Sequence, residues 1–275
     1  MEMGDSVEKS GSRADRKSAL LLVGHGSTEN PASSDPTHEL ARLIRERGIF
    51  AEVHCAFWKE EPNLRMAGYA IEASEVYVVP HFVSEGYFTR EVIPREMELT
   101  GPTTSIHGKI WHSCDPVGVH PRLTELLLER AREIGPDAHP EETALLIVGH
   151  GTALSARSTE ATRAQVRRLR ESGAPYREVR EAYLEVEPFV SNWDKLCESP
   201  AVIVLPFFVA DGLHRERDIP NLLGLDPERR ALHQNPFRVR GKCLYLAGAI
   251  GSGSAMADII VDQVRNFDAT RGKDQ

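Results

Sequence analysis

The chain has few cysteines and no long apolar segment. Its four cysteines are scattered through 275 residues, at Cys55, Cys114, Cys197 and Cys243, and no two of them form a C-x-x-C pair. This spacing argues against a disulfide framework, a structural zinc site and a closely spaced iron–sulfur motif, and it is typical of a reducing cytosol. No apolar run approaches the roughly 20 residues that a membrane-spanning helix needs. We therefore expect a cytoplasmic protein that does not cross a membrane.

Positive charge is also in deficit. The chain carries 33 Lys and Arg against 41 Asp and Glu, which gives a formal net charge of −8. A net negative charge disfavours nucleic acid and anionic membranes as partners. One local exception is the segment 157–170, in which five arginines stand against the single acid Glu160. Such a run is either a solvated helix face or a binding surface for an acidic ligand.

What the sequence does contain is an internal repeat. The segment 21–27, Leu-Leu-Val-Gly-His-Gly-Ser, returns at 146–152 as Leu-Ile-Val-Gly-His-Gly-Thr. Two further pairs of segments match at nearly the same offset: 80–88 with 206–214, and Glu61-Pro62 with Glu187-Pro188. Three anchors in the same order at a nearly constant offset are very unlikely by chance, and they indicate a duplication.

Each half alternates strand and helix patterns. The first half predicts strands at 19–23, 51–56, 76–80 and 106–112, and helices at 38–46, 63–74, 91–99 and 121–134. The second half predicts strands at 145–148, 179–184, 201–205 and 243–247, and helices at 158–171, 189–197, 219–223 and 254–267. This order predicts an α/β fold of two doubly wound lobes with parallel sheets, related by duplication, with helices on both faces of each sheet and a cleft between the lobes.

The segment 135–142 separates the two halves. It is rich in turn residues and carries no periodicity. The first 18 residues are polar and lack the apolar core of a secretory signal. We therefore expect a disordered leader at 1–18, an N-terminal lobe at 19–134, a linker at 135–142, a C-terminal lobe at 143–268 and a tail at 269–275.

Groups that could carry chemistry stand just after predicted strands. In an open parallel sheet, ligands bind beyond the carboxyl ends of the strands, and both Gly-His-Gly motifs, at His25 and His150, stand there. In the second half, Glu185 and His214 also follow strands. Two imidazoles and a carboxylate can ligate a divalent transition metal with positions left open, and they can accept protons near neutral pH. Taken singly, a histidine after a strand is more often structural, and Glu185 or His214 alone is more often an exposed loop side chain.

Other uses of the Gly-His-Gly motif fit less well. A histidine phosphatase presents Arg-His-Gly because the arginine holds the phosphate, whereas Gly24 and Gly149 occupy that position here. The G-x-S-x-G elbow of an α/β-hydrolase is absent from the sequence. A dinucleotide fingerprint fails because Glu29 stands where its third glycine is expected.

These motifs resemble those of the class II chelatases of tetrapyrrole synthesis, the sirohydrochlorin cobaltochelatase and ferrochelatase family, in its two-repeat long form. The resemblance covers both halves, and its motifs are Gly149-His150-Gly151-Thr152, Tyr183-Leu184-Glu185 with Glu187-Pro188, and Pro206-Phe207-Phe208 leading to Gly212-Leu213-His214 and Asp218-Ile219-Pro220. It implies a chelatase-like fold and a lyase that inserts Co²⁺ or Fe²⁺ into sirohydrochlorin in cobalamin or siroheme biosynthesis. It implies no cofactor beyond the substrate metal.

The resemblance also assigns roles. The metal-insertion residues of the family fall on His150, Glu185 and His214, so we expect the two histidines to bind the metal and accept pyrrole protons while Glu185 steers the cation. Sirohydrochlorin is a poly-carboxylate, and a net-acidic protein needs local arginines to hold it. The candidates for substrate binding are Arg157, Arg215 and Arg217.

The first half departs from this pattern. Lys59 occupies the position of Glu185 and Phe88 that of His214, so only His25 survives. Lysine repels a divalent cation, and phenylalanine neither ligates a metal nor accepts a proton. His81, seven residues before Phe88, is a weaker candidate for a group that acts with His25. We expect catalysis in the second half and a first half that frames the cleft.

Two other functions remain open at this point: a tetrapyrrole or metal carrier without catalysis, and delivery of nickel or cobalt to a partner. The physiological metal, the pathway and the oligomeric state are also open.

Overall fold

The structure, a computed structural model, describes residues 17–152, 157–210, 218–225 and 235–271. Most of the leader and part of the tail expected from the sequence lie outside these ranges. Within them, each half of the chain forms one five-stranded sheet. No helix in the described ranges is both long enough and apolar enough to span a membrane.

The first sheet contains four parallel strands and one antiparallel edge strand. Its strands are β1 (Ala19–Gly24), β2 (Glu52–Phe57), β3 (Glu75–Pro80), β4 (Thr103–Ile106) and β5 (Lys109–Ser113), in the spatial order β2-β1-β3-β5-β4. β1 pairs in parallel with β2 and β3, and β3 pairs in parallel with β5. β4 is antiparallel to β5.

The second sheet repeats this arrangement. Its strands are β6 (Thr143–Gly149), β7 (Glu178–Tyr183), β8 (Ala201–Pro206), β9 (Phe237–Val239) and β10 (Lys242–Leu246), in the order β7-β6-β8-β10-β9. β9 is again antiparallel to β10. The prediction of two duplicated α/β lobes is therefore confirmed, but the sheets are mixed rather than purely parallel.

The antiparallel edge strands correct the prediction of one strand over 106–112. The chain turns back within that segment, at His107 and Gly108, which have φ values of 51° and 75°. Two successive residues at positive φ make the type of tight turn that joins hairpin strands. Glycine tolerates this conformation because it has no Cβ.

The central strands are β1 and β6, and every residue of both is buried. Each has a neighbour on both edges and packing on both faces. This environment explains why their sequences are continuous apolar runs rather than alternating patterns.

Seven α-helices lie within the described ranges: α1 (Asp35–Glu46), α2 (Ile93–Glu96), α3 (Leu123–Ile134), α4 (Arg157–Glu171), α5 (Trp193–Leu196), α6 (Ile219–Leu223) and α7 (Ser254–Arg271). Two predicted helices of the first half are different in the structure. The predicted helix 63–74 is a 3₁₀ segment at Leu64–Ala70, where Gly68 lies close against the Trp111 ring. The predicted helix 91–99 is a π turn at Phe88–Val92 followed by the short α2.

The last helix of each half packs on the sheet of the other half. α7, at the end of the second half, packs against α1 and β3, and α3, at the end of the first half, packs against β8 and α4. Arg47 Nη1 donates to Asp258 Oδ1 at 2.6 Å, and Gln263 Nε2 donates to the Pro116 carbonyl at 2.8 Å. One apolar core consequently contains residues of both sheets, including Leu20 and Leu145. We propose that 135–142 is the linker between the N-terminal lobe and the C-terminal lobe.

Candidate functional site

The second-half Gly-His-Gly turn is held between α4 and the loop after β7. A Cβ at Gly149 would lie 2.3 Å from Thr162 Oγ1, and a Cβ at Gly151 would lie 2.6 Å from Val186 Cγ2. Gly151 also has a φ of +66°, in the left-handed region. Both glycines are therefore required for the turn to close. The turn places His150 at the carboxyl end of β6, with its side chain 42% exposed.

His150 is fixed in one tautomer by its own backbone. Its Nδ1 donates a hydrogen bond to the Gly151 carbonyl at 2.8 Å, because a carbonyl oxygen can only accept. In the neutral ring, Nε2 therefore carries the lone pair. A hydrogen bond of this kind to the other ring nitrogen orients histidines that bind metals in proteins.

Glu185 is fastened to the same turn. Its backbone N–H donates to the His150 carbonyl at 3.2 Å, and its Oε1 lies 3.6 Å from His150 Nε2. Two ligand atoms that are each about 2.1 Å from one metal ion, at a tetrahedral angle, stand about 3.4 Å apart. The observed separation suits a metal cation between the imidazole and the carboxylate and is too long for a hydrogen bond between them. Because the Glu185 side chain is 52% exposed, solutes can reach the pair.

The described residues contain only part of the predicted site. His214, Arg215 and Arg217 lie outside the described residues. Arg157 begins α4, but its side chain is not described. Within the described ranges, no group of three or more His, Cys, Asp or Glu side chains could hold a metal ion.

The arginines of α4 do not form one uniform surface. Arg170 Nε donates to the Val179 carbonyl at 3.0 Å, so this arginine ties α4 to β7. Arg168 lines a groove of about 440 Å³ between the halves, together with Glu160 on α4 and Glu85 and Arg90 on the loop after β3. Arg168 therefore lies in the groove between the two halves, whereas Arg170 stabilises the packing of α4 on β7.

The first-half turn repeats the backbone geometry around His25. His25 Nδ1 donates to the Gly26 carbonyl at 2.8 Å, and the Lys59 backbone N–H donates to the His25 carbonyl at 2.9 Å. Gly26 has a φ of +67°. The two turns therefore differ in their side chains rather than in their backbone.

Aromatic rings surround His25. Its ring centroid lies 5.5 Å from that of Trp58 and 4.7 Å from that of Phe88, both edge to face. Phe82 stacks on Phe88 with an interplanar angle of 14°. We call His25, Trp58, Phe82 and Phe88 the aromatic cluster. The sequence interpretation missed it, although Trp58-Lys59 standing where the second half has Leu184-Glu185 was a signal.

His81 lies in the interior of the protein. It is only 1% exposed, and its Nδ1 lies 2.9 Å from Thr37 Oγ1. Burial disfavours the charged imidazolium and lowers the pKa of His81 to about 4. Its counterpart in the second half is Phe207, which is also buried. An incoming ligand would not reach His81 without movement of the core.

The duplicated sheets and the histidine–carboxylate pair at a strand end define a two-repeat, chelatase-like protein. The CbiX family model matches residues 19–134 and 144–267, once for each half. The chain belongs to the CbiX family.

Named relatives and solved structures agree with this membership. The chain is 36% identical to a probable sirohydrochlorin cobaltochelatase of Halobacterium salinarum, over 92% of this chain and 93% of that protein. It is 22% identical to the sirohydrochlorin ferrochelatase of Priestia megaterium, over 94% and 93% of the two chains. A multi-domain protein of Deinococcus radiodurans, described as structurally similar to chelatases, superposes with a TM-score of 0.74 at 27% identity. That alignment covers 90% of this chain but only 54% of the Deinococcus protein.

Proposed function

We propose that this protein is a metal chelatase that inserts Co²⁺ or Fe²⁺ into sirohydrochlorin. The observation that carries the proposal is the pair formed by His150 Nε2 and Glu185 Oε1, 3.6 Å apart at an exposed strand end. Two relatives with nearly full-length matches are named for insertion of one or the other metal. Cobalt and iron(II) both accept imidazole and carboxylate ligands, so this donor set does not select between them.

The reaction exchanges one dication for two protons. As the metal enters the macrocycle, two pyrrole N–H groups must lose their protons, and the metal–nitrogen bonds replace the N–H bonds. The His150 lone pair first holds the metal and, once the metal has left for the ring, takes one of the two protons, and His214 is the proposed acceptor of the other. Glu185 supplies a negative charge that attracts the cation and stabilises the imidazolium.

We propose that His214 completes this set. His150, Glu185 and His214 follow β6, β7 and β8, and these strands are neighbours in the order β7-β6-β8. Arg157, Arg215 and Arg217 are the proposed partners of the carboxylate side chains of the substrate, because guanidinium groups bind carboxylates in a bidentate manner.

The four cysteines are free thiols, which supports a reducing, cytoplasmic location.

Metal insertion is tested directly by spectroscopy. Protein, sirohydrochlorin and Co²⁺ or Fe²⁺ are mixed under anaerobic conditions, and the absorption of the macrocycle is followed over time. We expect turnover beyond one equivalent of protein, with the rate lost in His150→Ala. His139→Ala is the matched control, because His139 is also exposed and lies 3.8 Å from a glutamate, Glu141. A spectral change that stops at one equivalent indicates a carrier instead.

A further inference from the structure

The turn that carries His25 in the first half differs in its neighbouring side chains from the turn that carries His150 in the second half. The backbone contact that places Glu185 beside His150 places Lys59 beside His25. At the position before it, the second half has Leu184 and the first half has Trp58. A cation and a large aromatic ring therefore occupy the positions that hold an anion and an aliphatic side chain in the metal-binding turn.

The aromatic cluster is open to solvent. His25 is exposed, and Trp58, Phe82 and Phe88 are each only partly buried. Trp111 and Trp193, by contrast, are 6% and 0% exposed and belong to the core. Partly exposed rings that already contact one another edge to face present both ring faces and ring edges, the geometry with which aromatic groups bind other planar rings.

One cation, Lys59, lies directly against the aromatic cluster. Lys59 Nζ lies 3.8 Å from the centroid of the Trp58 ring. Two acids follow Lys59 in the sequence, and backbone hydrogen bonds hold their carboxylates away from its ammonium group's partner position: Glu60 accepts from Ser27 N at 3.0 Å and Glu61 accepts from Asn63 N at 2.8 Å. The ammonium group repels a divalent cation, which Glu185 would attract, and it can pair with a carboxylate beside the ring.

The chain segment that carries Phe82 and Phe88 also borders the second half of the molecule. Phe88 begins the π turn Phe88–Val92, and Glu85 and Arg90 of the same segment line the groove whose other wall is α4. α4 begins a few residues after the second-half Gly-His-Gly turn. A flat ligand that extends from the cluster into this groove would lie against both halves of the chain.

We propose that the aromatic cluster and Lys59 form the binding platform for a planar, conjugated macrocycle with carboxylate side chains. Trp58 and Phe88 contact the ring system, and Lys59 pairs with a carboxylate at its edge. The two copies of the turn then have different binding roles: the turn of the second half binds the metal, and the turn of the first half binds the macrocycle. The identity of the ring as sirohydrochlorin rests on the proposed function.

The test measures binding of metal-free sirohydrochlorin to the intact protein, from the absorbance of the macrocycle and without any metal. Phe88→Leu keeps apolar volume but removes the ring, and we expect Kd to rise about threefold to tenfold. Lys59→Glu places the second-half acid at this position. It should weaken binding most at low ionic strength, and the difference from wild type should shrink as salt screens the charges.

Tyr69→Leu is the matched control, because Tyr69 is an aromatic residue of the first half that is 80% exposed and lies outside the cluster. Its Kd should equal that of the wild type. Wild-type affinity in both Phe88→Leu and Lys59→Glu would overturn the platform, whether or not the protein inserts metal. Tight, Phe88-dependent binding without metal insertion would contradict the proposed function alone.

Discussion

The Tyr77 hydroxyl donates a hydrogen bond to Asp268 Oδ1 over 2.8 Å, and this bond joins the first sheet to the last helix of the chain. Tyr77 lies on β3, is itself buried, and is separated from Asp268 by 191 positions in the sequence. The two halves of the molecule are therefore interleaved, because the first sheet is covered by a helix that the second half supplies.

Removing this bond should destabilise the whole protein. Tyr77→Phe leaves the Asp268 carboxylate without its donor, and we expect a loss of about 1–3 kcal/mol in the free energy of unfolding. Urea denaturation measures the loss. Tyr69→Phe, which removes an exposed hydroxyl, should change the unfolding free energy by less than about 0.5 kcal/mol. Equal midpoints for wild type and Tyr77→Phe would show that the bond contributes nothing.

The interleaving also predicts how fragments behave. A fragment of residues 17–134 lacks α7 and so exposes the apolar face of β3 and α1 to water. We expect this fragment alone to lack cooperative thermal unfolding, which circular dichroism measures. Addition of a separate fragment 135–275 should restore it. A cooperative transition in the first fragment alone would instead support two separately folding lobes.

Catalysis should depend on the second half. His150→Ala removes the lone pair that faces Glu185, and Glu185→Ala removes the carboxylate, so we expect insertion to be abolished in the first variant and severely reduced in the second. Initial rates of anaerobic Co²⁺ or Fe²⁺ insertion measure both effects. His25→Ala should keep most of kcat while raising the KM for the tetrapyrrole. If His25→Ala is inactive and His150→Ala is active, the assignment of the halves is reversed.

Position 149 should tolerate a side chain only if Thr162 is replaced by a smaller residue. Gly149→Ala brings a Cβ to 2.3 Å from Thr162 Oγ1, so the turn that carries His150 must shift. We expect a loss of about 1–3 kcal/mol in stability and a loss of insertion activity. Thr162→Ala removes the clashing oxygen and should restore part of both in the double variant. Additive losses in the double variant would exclude this clash as the cause.

The free energy of unfolding should decrease as the pH is lowered, over a range that is set partly by His81. The folded protein keeps His81 neutral down to a pKa of about 4, whereas the unfolded chain binds a proton near pH 6.5. The unfolded state therefore binds more protons between these values, and stability is lost progressively as pH falls from about 6.5 to 4. The full effect of this one residue is on the order of 3 kcal/mol.

His81→Phe introduces the residue that the second half uses at this position, and it should flatten the pH dependence of the unfolding free energy in this window. A residual slope is expected, because burial also lowers the pKa values of His112 and His120. Denaturant titrations at pH 7, 5.5 and 4.5 measure the slope. An unchanged slope in His81→Phe would show that this histidine does not titrate differently in the folded and unfolded states.

The sequence by itself determined the duplication, the α/β class and the placement of His150 and Glu185 at neighbouring strand ends. These features depend on local patterns: apolar runs that end in glycine, and side chains that follow parallel strands. The hairpin at His107 and Gly108 was missed because its turn interrupts a run that otherwise suits one strand.

Only the tertiary structure decided the rest. His81 is buried, and α3 and α7 each pack on the sheet of the other half. The contacts that decide both features join residues that are far apart in sequence, so local patterns do not reveal them. Tertiary packing likewise places Trp58, Phe82 and Phe88 around His25. Sequence comparison of the two halves showed which of the candidate metal-binding residues have no counterpart in the first half. Only the three-dimensional packing showed that aromatic rings and an ammonium group lie together in their place.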